Sequence, residues 1–532
     1  MNRTWSSVAA LALLAATGCG DSAMRTIPEL DEEASREDAR LNPCELDTAD
    51  GPVNGLCGTL VVPEDRSAPD GATLSLPVQR IRGQTPGANA LPIVFLGNGP
   101  GQTNFTYLPP KELTEANDFL RLGYRGVDSS VTLECNEVAF VARQTPALTD
   151  DHLDDLATAA GSCLERLMQG GHSLSNFGVN AVAADIAAAL ELFEYKKAHF
   201  LADGFGIQSA LAFADAHPDR VGRLVALSPA PLGPFLLPPQ AIQAQLETLA
   251  RRCAASERCS SAGDDLVANI ASARSALPSR WGFTSIDSGR LSLVTAVSLV
   301  GRESTVRAMD AWQAGANGSA AGLAMMSWLG DNISQNVFVW GDALAKTVPL
   351  GLDPEVDYRE ADSRGETLLG SPVRLLLFGG RPDAGLLPDP PRQPGPSTTV
   401  MDALFVHGTV DPTRDIAQSS LASRFRSVQL AAVEEAVLAS EAWAIQPNEF
   451  SRMITGYLNT GAVDSSSLVR TSWSFAPSLR MATIQWFMTV LTVVIPLLLG
   501  AFILLLFRRV KRTIETERAE HAASISGKAD EG

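Results

Sequence analysis

An apolar run near the C-terminal end is the feature that most constrains what this chain can fold into. Ala482–Phe507 is almost continuously apolar, and its roughly 26 residues are enough for one membrane-spanning helix with some tilt. Basic residues follow at once, namely Arg508, Arg509, Lys511 and Arg512. Because positive charge is retained on the cytoplasmic side, we expect the C-terminus in the cytoplasm and the body of the chain outside it. The alternative, a buried core helix, accounts for neither the length of the run nor the basic stop.

The N-terminal residues are typical of a targeting segment. Val8–Ala16 is an apolar run that is too short to span a bilayer. It leads into Ala16-Thr-Gly-Cys19, which resembles a bacterial lipoprotein signal, so that residues 1–18 would be removed and Cys19 would carry lipid. A plain secretory signal is the alternative. Either way we expect the main domain on the periplasmic or extracellular side of a bacterial cell membrane, with membrane lipid contacted through Cys19 and the C-terminal helix.

The cysteine count agrees with an oxidising compartment. The chain has seven cysteines, and if Cys19 is lipidated the remainder are Cys44, Cys57, Cys135, Cys163, Cys253 and Cys259. An even number in a secreted protein indicates disulfides. Six cysteines allow fifteen pairings, of which neighbour pairing is the simplest: Cys44 with Cys57, Cys135 with Cys163, and Cys253 with Cys259. Because no Cys-x-x-Cys motif occurs and histidines number only six, neither a metal nor another cofactor is expected.

The formal net charge of −18 argues against nucleic acid as a partner, because phosphate binding needs clustered Lys and Arg. It is consistent with the solubility of an exposed domain. The 532 residues, 45% of them hydrophobic, leave room for a large core.

The middle of the chain alternates between helix and strand patterns. A helix at Asn180–Phe193 precedes a short strand at Ala198–Leu201, a sharp turn at Gly204-Phe-Gly206 and a helix through Ala216. The next strand is Val221–Leu227, and this order is a parallel α/β unit. Further elements are predicted as strands at Cys57–Pro63, Thr73–Ile81, Leu91–Leu96 and Met401–Val406, and as a last core helix at Asn448–Leu458.

The segment Ala241–Trp340 differs, because it is alanine-rich with helical spacing and has no clear strand pattern. Stretches rich in Pro and Gly bound it, which indicates a helical insertion over the core. The predicted organisation is a signal peptide at 1–18, a flexible tether at 19–43, core at 44–236, a helical cap at 237–396, core again at 397–461, a juxtamembrane linker at 462–480, a transmembrane helix at 481–507 and a basic then polar cytoplasmic tail at 508–532.

Several motifs occur in an order that resembles a known family. They are Cys57-Gly-Thr-Leu-Val-Val-Pro63, Gly97-Asn-Gly-Pro-Gly101, Tyr195 to Gly206, His217-Pro-Asp-Arg-Val221 and Gly408-Thr-Val-Asp411. Over roughly Cys44 to Gly461 the chain is similar to the proline iminopeptidase and tripeptidyl aminopeptidase group of α/β-hydrolases. The resemblance implies an α/β-hydrolase fold, a mostly parallel sheet flanked by helices, with the helical cap inserted. It also implies a serine, an acid and a histidine as the catalytic residues.

The predicted nucleophile position holds no nucleophile. The fold places this residue on a strained turn with small residues two positions to either side, and the frame that fits is Ala202-Asp-Gly-Phe-Gly206, centred on Gly204. A frame centred on Asp203 has bulky Leu201 and Phe205 as flanks. The resemblance assigns Gly97, Asn98, Gly99 and Phe205 to the remnant of the oxyanion loop.

The other catalytic positions are predicted to be incomplete as well. Asp411 is at the acid position, although an aspartate before Pro412 is also an ordinary turn or helix-cap residue. The base should lie about Gln429 to Ser440, where no histidine occurs, and His407, one turn before the acid, is interpreted as structural. The loop from Gly123 to Ser130 departs from the family's Asp-x-Arg-Gly-x-Gly-x-Ser, since Gly123 and Asp128 stand where the family has Asp and the second Gly.

The leading hypothesis is therefore a pseudoenzyme, held at the membrane, that binds a peptide, a small molecule or a membrane-protein partner. An active aminopeptidase or esterase that uses Asp203 or another group is one alternative. A scaffold domain that only presents a surface to a membrane partner is the other.

Overall fold

The chain is described by a computed structural model that covers residues 28–31, 33–35, 41–85, 90–97, 99–233, 235–256, 259, 265–336, 338–363, 365, 367–380, 401–470 and 472–529. The predicted signal peptide with Cys19, the loop residue Asn98 and the cap residues 381–396 lie outside these ranges.

Within the described residues, a nine-stranded sheet forms the centre of the molecule, in the order β1-β2-β3-β5-β4-β6-β7-β10-β11. Its strands are β1 (Leu41–Thr48), β2 (Gly51–Pro63), β3 (Thr73–Ile81), β4 (Ile93–Leu96), β5 (Phe119–Leu122), β6 (Ala198–Asp203), β7 (Val221–Leu227), β10 (Asp402–Gly408) and β11 (Ser427–Val433). The pairs β1–β2, β2–β3 and β3–β5 are antiparallel, and the pairs from β5 to β11 are parallel. The sheet is therefore mostly parallel, with all the predicted strands in it.

The central strands read as continuous apolar runs because helices cover both faces of the sheet. Phe200 and Phe405 face one cluster together with the helices at Val179–Leu192 and Gly206–Ala216, and Val225 and Leu404 face another together with the helix at Pro447–Thr460. The helices of the core are α1 (Lys111–Glu115), α2 (Asn136–Val141), α3 (Asp150–Gln169), α4 (Val179–Leu192), α5 (Gly206–Ala216), α14 (Arg414–Leu421), α15 (Ala442–Ile445) and α16 (Pro447–Thr460).

The first strand begins at Leu41, so the sheet starts inside the segment 19–43 that the sequence predicts to be a tether. Leu41 pairs with Gly58 in antiparallel register, and Leu46 is buried in the core. A disulfide joins Cys44 to Cys57 across the two strands. Only Leu46 and Thr48 are buried in this strand, so its apolar pattern is too short to predict it, because an edge strand buries only part of its residues.

The cap is a set of helices between β7 and β10. Its helices are α6 (Pro239–Ala254), α7 (Leu266–Ser275), α8 (Ser288–Ser298), α9 (Arg302–Ala316), α10 (Ala321–Asn336), α11 (Trp340–Gly351), α12 (Tyr358–Ala361) and α13 (Pro372–Arg374). The cap also contains a short hairpin of β8 (Arg280–Trp281) and β9 (Thr284–Ser285). The sequence does not predict it, because strands of two residues are too short to show an alternation of apolar and polar residues. The Cys253–Cys259 disulfide closes the end of α6, and Cys135–Cys163 joins the start of α2 to α3.

One long apolar helix follows the core. It consists of α17 (Met481–Thr489), a π-helical turn (Val490–Val494) and α18 (Ile495–Ala529). Its portion Met481–Lys511 is long and apolar enough to cross a membrane. The first turns of this helix pack against α10 of the cap, where Met481 is buried.

Candidate functional site

A sharp strand-to-helix turn lies at the carboxyl end of β6. The strand ends at Asp203, Gly204 has a φ of +52°, and α5 begins at Gly206. The Gly204 N–H donates to the carbonyl of Leu227 (2.9 Å), and its carbonyl accepts from the N–H of Ala230 (3.0 Å). The left-handed conformation at this corner is one that glycine adopts without strain.

Gly206 allows the turn to close against the neighbouring strand. A Cβ at this position would lie 2.2 Å from the carbonyl oxygen of Leu96 at the end of β4. Only a residue without a side chain permits this approach of the two backbones. The structure therefore brings the corner at Gly204 next to the glycine-rich loop that follows β4, and a Cβ at Gly99 would be 3.7 Å from the ring of Phe205.

Part of the predicted oxyanion loop is occupied by internal hydrogen bonds. The Gly97 N–H donates to Asn104 Oδ1 (2.7 Å), and the Asn104 amide donates to the carbonyls of Phe95 and Leu122 (3.0 and 2.9 Å). The N–H of Gly97 is thus engaged by a buried side chain and is not directed at a ligand.

The same loop is tied to the cap. The Gly101 N–H donates to Asp342 Oδ2 on α11 (2.9 Å). Asp342 forms an ion pair with Lys346, which donates to the carbonyl of Arg125 (3.3 Å). The hydrogen bonds of this pair to the Gly101 N–H and to the Arg125 carbonyl connect the cap helix to the loops after β4 and β5. Both charged side chains are buried, and removing one would leave the other charge buried alone, which is strongly destabilising.

Asp203 precedes the corner and is half-buried. Burial raises the pKa of its carboxyl to about 7. The Tyr107 hydroxyl, buried without a hydrogen-bond partner among the described residues, has a pKa raised first by burial and then by the charge of Asp203. Asp203 is thus a carboxyl group in an apolar setting at the end of a strand, not on the left-handed corner itself.

Asp411 lies after β10, as the sequence predicts, and faces His407. Its Oδ1 accepts from the N–H and the hydroxyl of Thr413 (2.8 and 2.7 Å), which is the pattern of a turn aspartate. Its Oδ2 is 3.5 Å from His407 Nδ1. Both ring nitrogens of His407 lack a hydrogen bond to any described residue, and the ring is buried on the β10 strand.

The loop after β11, where a catalytic base is predicted to be missing, carries a buried glutamate. Glu435 has a φ of +60°, and its N–H donates to Thr409 Oγ1 (2.9 Å). Its carboxylate pairs with Arg252 of α6 in the cap and with Arg470 of the juxtamembrane linker (Nη2 to Oε1, 3.1 Å). We call these three residues the Glu435 clasp. They are not among the residues predicted from sequence, although an acidic pair within an apolar segment is a visible signal.

The loop that carries Glu435 packs tightly over the end of β10. A Cβ at Gly408 would lie 2.3 Å from the carbonyl oxygens of both Ala436 and Val437. Farther along, the Ala439 N–H donates to the hydroxyl of Ser228 (3.0 Å), a residue with a φ of +40°. Ser228 is also absent from the sequence predictions, and its hydroxyl is engaged by this backbone contact.

The loop after β5 carries its carboxylate at Asp128, whereas the resembled family carries one at the position of Gly123. A Cβ at Gly123 would lie 2.8 Å from the Cβ of Asp128. Asp128 Oδ2 accepts from the N–H of Tyr124 (2.8 Å) and of Asn104 (3.3 Å), and burial raises the pKa of Asp128 to about 6. The residue at 128 therefore occupies the space into which a side chain at 123 would point.

The arginine of this loop is retained as a structural residue. Arg125 is fully buried and binds Asp185 of α4 through two nitrogens at 2.6 Å each. Arg66 also pairs with Asp185. A bidentate, buried arginine–carboxylate pair fixes the loop to the helix that leads into β6.

A cavity of about 210 Å³ lies away from the corner at Gly204. Its lining includes Pro146, Thr149, Arg274, Ser292, Arg359 and Asp362, and neither Gly204 nor Asp411 contributes to it. Within the described residues, no group of three or more His, Cys, Asp or Glu side chains is arranged to hold a metal ion.

The sheet order, the helices on both faces and the sharp turn after β6 define the class of protein: the chain has an α/β-hydrolase fold. No model of a known protein family matches its sequence. It is 27% identical over 243 residues to the serine protease Hip1 of Mycobacterium tuberculosis and to that of Mycobacterium bovis, a match that covers 42% of this chain and 45% of the relative. The chain thus matches about half the length of these curated relatives.

Two solved structures illustrate the similarity. The proline iminopeptidase of Mycobacterium smegmatis is 11% identical with a TM-score of 0.34, over 75% of this chain and 97% of that one. The meta-cleavage product hydrolase of Pseudomonas fluorescens IP01 is 12% identical with a TM-score of 0.35, over 73% of this chain and 96% of that one. The fold class itself rests on the sheet order and on the turn at Gly204.

Proposed function

We propose that this chain is a membrane-anchored, extracytoplasmic protein of the aminopeptidase-like α/β-hydrolases that has lost acyl transfer. It binds a peptide, a small molecule or a membrane-protein partner instead. The observation that carries the proposal is the corner at Gly204, where the φ of +52° matches the strained turn that presents a nucleophile in this fold. A glycine there offers no atom that can attack a carbonyl, and acyl transfer needs a nucleophile beside a base.

The Glu435 clasp supports the same proposal from the base position. An imidazole acting as base needs freedom to contact both the nucleophile and the acid. Here the loop after β11 is committed to ion pairs with Arg252 and Arg470 and to close contact with Gly408. The loop therefore serves to join the core to the cap and to the linker.

A covalent probe tests the loss of catalysis. The full-length chain in detergent is treated with a fluorophosphonate, and a catalytically active serine hydrolase in the same tube serves as the positive control. We expect no labelling of the wild-type chain. Stoichiometric labelling of a residue at the sheet edge near Gly204 would contradict the proposal.

Membrane attachment is tested separately. The chain should remain with membranes after alkaline carbonate extraction, and it should be released when it ends at residue 480 and carries Cys19→Ala as well. Either change alone should leave the chain attached. The Cys19→Ala variant keeps the spanning helix, and the truncated chain keeps the lipid together with contacts to a membrane partner. Release of the Cys19→Ala variant with an intact C-terminal helix would contradict the proposed span.

Asp203 supports a second candidate function. A carboxyl group with a pKa of about 7 is suited to act as a general acid or base near neutral pH. In that case the chain would hydrolyse aryl amides with a leading proline or a tripeptide, and Asp203→Ala would abolish turnover while Asp411→Asn would reduce it. If the wild-type chain shows no turnover, this second candidate is rejected and ligand or partner binding by a pseudoenzyme remains the proposed function.

A further inference from the structure

The hairpin β8–β9 carries aromatic side chains with no place in the core. Phe283, at the tip beside Gly282, is 77% exposed. Gly282 has a φ of +56°, which lets the tip turn in two residues. Trp281 precedes it, and Arg280 is exposed. Trp281 is half-buried and Phe283 is exposed, and because a single exposed apolar side chain does not by itself mark a contact surface, the position of the hairpin relative to the apolar helix decides what Phe283 meets.

The hairpin is fixed to the first turns of the apolar helix. The rings of Trp281 and Trp486 meet edge to face, with centroids 4.9 Å apart. The buried Gln485 donates from Nε2 to Thr284 Oγ1 (2.9 Å). One contact on each strand of the hairpin therefore holds it beside the start of α17.

The cap as a whole is docked on the same turns. Met481 is buried in the cap core, and a Cβ at Gly322 of α10 would lie 3.6 Å from the Ala482 nitrogen. Just before the helix, Ser478 donates to Glu303 Oε1 of α9 through its N–H (3.2 Å) and its hydroxyl (2.6 Å). These contacts make the helix and the cap one unit. The depth at which the helix is inserted in the bilayer therefore determines how far the hairpin lies from the bilayer.

The basic residues that begin at Arg508 define the position of this unit relative to a bilayer. A hydrocarbon core of about 30 Å takes about 20 helical residues, and counting back from Arg508 the outer boundary falls close to Met488. Trp486 then lies in the outer headgroup region, where indole rings are preferred. Because Trp281 contacts Trp486, the hairpin lies at the same level.

We infer that the tip of β8–β9 is a second membrane contact, in which Phe283 enters the outer leaflet at the interface and Arg280 meets the lipid phosphates. This inference depends on the proposed membrane span. Phe283 supplies the apolar area, Trp281 the interfacial indole, and the guanidinium the charge attraction to anionic headgroups. The contact limits how far the cap and the helix together can tilt relative to the bilayer, and it fixes which side of the domain faces away from the membrane.

Lipid photocrosslinking tests the inference on the full chain. The photoreactive residue p-benzoylphenylalanine is placed singly at Phe283, at Phe502 in the apolar helix, and at Leu430, an exposed apolar residue on β11. The three variants are reconstituted in vesicles of phosphatidylethanolamine and phosphatidylglycerol that contain radiolabelled lipid. We expect lipid adducts at 283 and 502 at least about fivefold above those at 430.

The pattern of labelling separates the two proposals. Labelling at 502 with 283 no higher than 430 overturns the hairpin contact and leaves the membrane span intact. Labelling at neither 502 nor 283 overturns both. A protein–protein adduct at 283 in place of lipid assigns the tip to a second copy of the chain and also overturns the lipid contact. Because Phe283 is exposed, the substitution leaves folding intact, which an unchanged Tm verifies.

Discussion

A Cβ at Gly123 would lie 2.8 Å from the Cβ of Asp128, so the two positions share one space. The resembled family has aspartate at the first position and glycine at the second, and this chain has the reverse. Asp128 directs its carboxylate to the N–H groups of Tyr124 and Asn104. The departure of this loop from the family's pattern is therefore an exchange of residue types between two positions that share one space, and the loop keeps a carboxylate there.

The exchange predicts strong coupling between the two positions. Gly123→Asp alone forces a side chain against Asp128 and Pro77 and adds a buried charge, and we expect it to destabilise the protein by about 2–4 kcal/mol. The double variant Gly123→Asp with Asp128→Gly should recover more than half of that loss. Urea denaturation of the wild type, the two single variants Gly123→Asp and Asp128→Gly, and the double variant measures the free energy of unfolding of each. Additive effects of the two changes would contradict a shared space.

The sequence predicts the scaffold better than the contacts between distant segments. The strands Thr73–Ile81 and Val221–Leu227 have the predicted bounds, because buried strands leave a local apolar pattern. The neighbouring cysteine pairs are joined in the structure. In contrast, Glu435 could not be interpreted from sequence, since its partners Arg252 and Arg470 are remote in the chain and only the fold brings them together.

The sequence does not predict the hairpin or the first strand, for a related reason. Two-residue strands such as Arg280–Trp281 have no periodicity, and Leu41 pairs only because Gly58 lies beside it. The corner at Gly204 was predictable because small residues two positions away on each side are a local requirement of the turn. Which side chains from distant segments lie around this turn depends on long-range packing, and no local sequence pattern predicts that packing.

The Glu435 clasp should contribute measurably to stability. Glu435→Ala removes the shared carboxylate and takes this ion pair away from Arg252, which is half-buried. We expect a loss of about 1–3 kcal/mol in the free energy of unfolding. The matched control is Glu449→Ala, whose pair with Arg452 is on the surface of α16 and should cost less than about 0.5 kcal/mol. Equal effects of the two substitutions would mean that the clasp is no more than a surface ion pair.

Burial of Asp203 predicts a pH dependence of stability. The folded protein holds the proton of this carboxyl up to a pKa of about 7, whereas the unfolded chain releases it near pH ~4. The unfolded state therefore binds fewer protons between these values, and stability is lost as the pH rises from about 4 to about 7.

Asp203→Asn should remove this loss because an amide does not ionise. The Tm of the variant should exceed that of the wild type by several degrees more at pH 8 than at pH 4, at about 2–4 °C for each kcal/mol. Asp70→Asn, at an exposed turn position, controls for the change in net charge. A Tm difference that stays constant across this pH range would show that folding does not raise the pKa of Asp203.

The corner at Gly204 gives the sharpest prediction. Gly204→Ser places a side chain at a φ of +52°, which should cost about 1–2 kcal/mol of stability. Gly204→Ala should cost the same, because the strain comes from the Cβ and not from the hydroxyl. Gly456→Ala, within α16 and with open space around its Cβ, should instead stabilise by about 0.5–1 kcal/mol. Because the loop after β11 supplies no base, the serine at 204 should remain inert to a fluorophosphonate. Rapid labelling of Gly204→Ser would mean that a proton acceptor is already in place at the corner, so that glycine alone keeps the site silent.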